Sequence, residues 1–196
     1  MKKVLLMFLI FVTVLIVQLS PAAAWSVPTH YEIVEKTYYA LPADVQSKLS
    51  LGLMIKGAGD PDLKFLDYKY HKYPANQVKV NYWLNRGSIE YKYGNYDDAS
   101  YSFGVASHYI SDGCCAPHCM DNASPFYHFI YELSALLFTP EINKSDGDIN
   151  LIMKNDYLDG KDSWHSWMNN KNDIYIQNDL NRAVDESFIS INESIG

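Results

Sequence analysis

Residues 108–132 read HYISDGCCAPHCMDNASPFYHFIYE. The stretch holds His108, Asp112, His118, His128 and Glu132 in the pattern His-x3-Asp-x5-His-x9-His-x3-Glu. The first pair and the last pair are each spaced i, i+4. On an α-helix that spacing puts both side chains on one face, a turn apart. Imidazole and carboxylate bind transition metals, and two facing helices can hold metal between such pairs. A single i, i+4 pair is commonplace. The ordered set of five carries the reading.

Helical spacing extends outward from this stretch. Tyr101, Val105, His108 and Asp112 share one stripe, which predicts a helix over 97–112 capped by Asn95 or Asp97. Gly113 to Ala116 ends it, and His118 falls in the connection. A helix over 125–138 carries His128 and Glu132. Upstream, helices are predicted over 30–40, 43–55 and 75–93, the last with Val78, Tyr82, Ile89 and Tyr93 as core contacts. Between them GAGDPDLKFLDYKYHKYP reads as an irregular loop opened by Gly57 and Gly59. It carries Asp60, Asp62, Asp67 and His71, and loops are a common place for ligands. Trp25 to Thr29 is expected to be extended, because Pro28 restricts its neighbours. Downstream, SDGDIN reads as a loop, with short helices over 149–158 and 161–169 and a longer one over 174–191. Alternating β patterns are scarce. The expected class is all-α, with residues 25–196 as a single multi-helix domain.

Residues 1–24 have the form of a signal peptide. Lys2 and Lys3 precede an apolar run from Val4 to Val17 broken only by Thr13, and Ala22-Ala23-Ala24 offers a cleavage point. The run falls short of the roughly 20 residues that span a bilayer. A secreted or extracytoplasmic product beginning at Trp25 is expected, with an uncleaved anchor as the lesser alternative. Removing the leader takes the net charge from −7 to −9. That acidity argues mildly against non-specific nucleic-acid binding, which needs a basic footprint. Three cysteines, Cys114, Cys115 and Cys119, are no disulfide framework. In an exported protein, one bridge from Cys114 or Cys115 to Cys119 is expected. Thiolate ligation of zinc ranks below it, because His, Asp and Glu already supply enough ligands.

A specific resemblance joins these pieces. Trp25 behind a cleavable leader, His30, the GAGDPD segment, and His71 in YHKYP lead into the helix ASYSFGVASHYISD, Pro117-His118 and His128-x3-Glu132. Over roughly residues 25–137 the chain resembles the zinc-dependent phospholipase C family, which is related to the trinuclear-zinc single-strand nucleases. The resemblance implies three zinc ions. One would take the Trp25 α-amino and carbonyl groups with His30. Asp112 would bridge that ion to a second, bound also by His71, His108 and a loop aspartate, where alignment on Gly57 favours Asp62 over Asp60. His118, His128 and Glu132 would hold the third. A free α-amine has an ordinary pKa of about 7.7–8.0, so it can deprotonate and bind zinc near neutrality.

Clustered zinc suits phosphodiester hydrolysis, with Asp62 as ligand and as candidate base or water-orienting group. The implied substrate is a phospholipid at a membrane surface, with nucleic acid as the alternative. Glu132 and the short gap from His118 to His128 resemble the phospholipase branch, whereas the close spacing of Trp25 and His30 resembles the nucleases. A zinc-binding module without turnover ranks last. Leu63 stands where choline-specific relatives carry an aromatic side chain, so choline specificity is not implied. A monomer with no protein partner is expected.

Overall fold

The computed structural model describes residues 25–143 and 149–196. The expected signal peptide and most of the SDGDIN loop lie outside them. Among the described residues all regular structure is helical, as expected: α1 (Val27–Ala40), α2 (Ala43–Gln46), α3 (Leu51–Asp60), α4 (Ala75–Lys92), α5 (Tyr96–Cys114), α6 (Pro125–Ala135), α7 (Ile149–Asn170) and α8 (Ile174–Ile195). A π-helical turn at Pro61–Phe65 and 3-10 turns at Tyr68–Tyr70 and Ala116–Cys119 fill the connections.

The bundle is built around α5, which packs against α1, α3, α4, α7 and α8. From Ala99 to Cys114 every residue except Tyr101 is buried. A helix hydrophobic or small all round belongs in a core, and the run ASYSFGVASHYISDGC meets that condition with Ala, Ser and Gly. On one side Phe103, Val105, Ala106 and Tyr109 meet Met54 and Ala58 of α3 and Val80, Trp83 and Leu84 of α4. A second apolar group surrounds Trp25, Tyr131, Trp164, Trp167, Leu180 and Val184 and takes in Cys114, Cys115 and Ala116.

Five sequence expectations fail. The chain is helical from Val27, not extended, because Pro28 sits in the first turn, where its missing N–H costs no hydrogen bond. The predicted helix over 43–55 is two helices, and α3 runs through Gly57 and Gly59 to Asp60. These glycines are contacts, not breakers. A Cβ on Gly57 would stand 2.3 Å from the Tyr101 carbonyl oxygen, and one on Gly104 would stand 2.1 Å from that of Met54. The predicted core stripe of α4 is its outer face: Val78, Tyr82, Ile89 and Tyr93 are exposed, and Asn76, Val80, Trp83, Leu84 and Gly87 are buried. Both faces are apolar at helical spacing, and the one with Gly87 wins because the Phe103 ring lies against it. Finally, α7 is continuous through Gly160, which faces the Cys119 sulfur. The expected disulfide is absent: Cys114, Cys115 and Cys119 are all free and buried.

Candidate metal centre

Asp112 is the centre of the site. It is fully buried near the end of α5, and neither carboxylate oxygen makes a hydrogen bond. Three imidazoles surround it. His71 Nδ1 stands 2.9 Å from Oδ2, His108 Nε2 stands 3.1 Å from Oδ2, and His30 Nε2 stands 3.3 Å from Oδ1. The His30 and His108 rings stack at 4.0 Å between centroids. Asp62, on the π-helical turn, approaches His71, His108 and His30 at 3.7–3.9 Å with a side chain 9% exposed. Single π-turns recur at functional sites, and this one turns Asp62 inward. Asp60 turns elsewhere, accepting a 2.6 Å hydrogen bond from the Tyr101 hydroxyl, so Asp62 is the aspartate that faces the histidines.

The helices fix which ring nitrogen faces inward. His108 Nδ1 lies 2.8 Å from the Ala58 carbonyl oxygen and can only donate to it, which leaves Nε2 to the centre. His30 Nδ1 is held 2.9 Å from the Ser111 hydroxyl, and that hydroxyl donates to the His108 carbonyl. Trp25 donates its indole N–H to the Ser111 carbonyl oxygen at 2.8 Å, tying the start of the described chain to the residue before Asp112. Such orienting partners are what metal-binding imidazoles ordinarily have.

Burial raises the Asp112 carboxyl, but His108, His30 and His71 outweigh it and hold the group well below the usual range. Burial and the neighbouring His108 lower His30. Burial also opposes protonation of His71, yet Asp112, Asp62 and Asp67 outweigh it and raise the group.

The second half of the site lies beyond the end of α5. His118, on the 3-10 turn, has Nδ1 2.9 Å from the His71 carbonyl oxygen. Its ring centroid is 5.0 Å from that of His128, whose Nε2 is 2.6 Å from Glu132 Oε1. Burial first, then Asp112 and Asp62, push the Glu132 carboxyl up to about 10. His165 is exposed on α7 and takes no part.

Two groupings were not legible in the sequence. Cys115 joins His118 and Glu132, with ligand atoms within 4.8 Å of one another. Asp179 of α8 anchors the turn that carries His118. It accepts from the Ala116 N–H at 3.1 Å, from Tyr131 at 2.8 Å and from Ser163 at 2.9 Å, and it pairs with Arg182. The C-terminal third therefore holds up the site from behind, and only the fold brings these residues together.

The donor set fits zinc. Buried imidazole nitrogens of His30, His71 and His108 converge without hydrogen-bond geometry on a buried carboxylate, and such groups are costly to leave unsatisfied unless a cation joins them. A model of the family described as "Zinc dependent phospholipase C" matches residues 29–181. The chain belongs to that family. It is a zinc phospholipase-type hydrolase, and the match runs to residue 181, well past the last motif recognised in the sequence at Glu132. No curated protein and no solved structure matches the chain.

Proposed function

We propose that this zinc-dependent phospholipase is exported, is cut after Ala24, and acts as a monomeric single domain that cleaves phospholipid head groups at a phosphodiester bond. The observation that carries the reading is the ring of His30, His71 and His108 around buried Asp112 with Asp62 at its edge. Three ions are assigned. The Trp25 amine and carbonyl with His30 would hold one. Asp112 would bridge it to a second, shared with Asp62, His71 and His108. The third would sit among His118, His128 and Glu132.

Zinc, when bound, supplies Lewis acidity toward phosphoryl oxygens and hydroxide near neutral pH. The chain's own part is positioning. His108 and His30 are locked by Ala58 and Ser111, and Asp112 is kept ionised by its three imidazoles. Asp62 is the carboxylate of this group that keeps some exposure, so it can orient an attacking water and accept its proton. An amphiphilic substrate suits the surroundings. Leu63 and Leu66 follow Asp62 in sequence, Phe126 and Tyr127 precede His128, and all four are exposed. Apolar side chains beside a charged centre favour a lipid over a nucleic acid, as does the net charge of −7.

The test is metal analysis of the chain beginning at Trp25, followed by parallel assays on mixed-head-group phospholipid vesicles and on single-stranded nucleic acid. Three zinc ions and release of phosphorylated head group are expected. Nucleotide release alone would make it a nuclease, and zinc with neither product would make it a binding module.

A further inference from the structure

We infer that Cys115 is a fourth protein ligand at the site of His118, His128 and Glu132. The inference rests on the proposed reading of that site as zinc-binding and deepens it, since the family resemblance implies only three side chains there. The three thiols of the chain differ in their surroundings. Cys114 donates to the Ile110 carbonyl at 3.5 Å and to Glu186 at 3.3 Å. Cys119 donates to the Gly113 and Cys115 carbonyls at 3.5 and 3.6 Å. The Cys115 thiol makes no hydrogen bond among the described residues. It is fully buried, and its sulfur lies within 4.8 Å of ligand atoms of His118 and Glu132. Oε1 of Glu132 is itself sealed from solvent, with His128 Nε2 against it at 2.6 Å.

The backbone explains why this thiol is the one that turns inward. Cys114 ends α5 and Cys115 is extended, with φ −72° and ψ 111°, so its side chain leaves the helix direction. The 3-10 turn then returns His118, whose N–H donates to the Cys115 carbonyl at 2.8 Å. The His71 carbonyl, 2.9 Å from His118 Nδ1, fixes the plane of this ring beside the thiol. On coordination the thiol proton passes to solvent and sulfur gives an electron pair to the metal. Cys115, His118 and Glu132 would then offer thiolate, imidazole and carboxylate to one ion, donors that zinc accepts together.

The experiment uses the chain beginning at Trp25 with cobalt(II) in place of zinc. A sulfur-to-cobalt charge-transfer band in the near ultraviolet is expected in the wild type and in Cys114→Ser and Cys119→Ser, and its loss is expected in Cys115→Ser. X-ray absorption of the wild-type zinc protein guards against a variant that misfolds, and should show sulfur at about 2.3 Å, one scatterer for every three zinc ions. Three bound ions with neither band nor sulfur scatterer would overturn the thiolate ligand and leave the trinuclear reading intact. A band that survives in Cys115→Ser would do the same. A chain that binds no metal would overturn both.

Discussion

Gly57 of α3 and Gly104 of α5 face one another where the two helices cross. A Cβ on Gly57 would stand 3.2 Å from the Gly104 carbonyl carbon, and one on Gly104 would drive into the Met54 carbonyl oxygen. This close crossing sets the separation across which the Ala58 carbonyl reaches His108. Gly104→Ala should therefore cost about 1–3 kcal/mol by overpacking or more, since the obstacle is backbone. Thermal unfolding would read the loss. Unchanged stability would mean that the helices separate freely at this point.

Asp112 touches three histidines, whereas Glu132 touches the His118–His128 side alone. Asp112→Asn should lose more bound zinc than Glu132→Gln, measured by metal content after equal dialysis. Equal loss would argue against a bridging Asp112.

Buried Asp179 pairs with the partly exposed Arg182 behind the turn that carries His118. Asp179→Ala would leave the Ala116 N–H and the Tyr131 and Ser163 hydroxyls unpaired, so it should destabilise by about 3 kcal/mol or more. Because Asp179 also accepts from Ala116, zinc retention should fall at the His118 side, although Asp179 is no ligand. Denaturant unfolding and metal content would check the two effects separately.

Glu186 gives a pH dependence. Burial, and then Asp156, raise its carboxyl well above the ordinary range, and Cys114 donates to it. With the folded value above the unfolded one, the folded chain keeps a proton that the unfolded chain releases. The stability it lends is present below the ordinary carboxylate pKa and is lost as pH rises through the range up to the folded value, at about 1.4 kcal/mol per pH unit. Glu186→Gln mimics the protonated acid, so it should be more stable than wild type at pH 8 and nearly equal at pH 4. Thermal unfolding across that range would show the difference growing with pH, and a difference independent of pH would contradict it.

The helical class was legible from the turn spacing of His108 with Asp112 and of His128 with Glu132, while His30, Asp62 and His71 were assigned as ligands by the family resemblance alone. Glycine misled the reading. Gly57, Gly59 and Gly160 carry the local mark of a break, yet Gly57 and Gly160 lie where a partner comes too close for any side chain. A sequence records that a residue is small and does not record what stands opposite. The same limit hid the inner face of α4, where two apolar stripes compete and only the Phe103 ring decides. Cys115 was passed over for a related reason. Its sequence neighbours suggested a disulfide, whereas its spatial neighbours are His118 and Glu132.

His71 belongs to both halves of the centre, its ring turned to Asp112 and its carbonyl to His118. A change that tilts this one peptide would move an imidazole on one side and a hydrogen-bond acceptor on the other. The two halves are thus not free to drift apart in sequence over time. A lineage that reshaped the half around Asp112 would have to re-fit the half around His118 in the same step, and variation in the 57–74 segment should be matched by variation in 115–132.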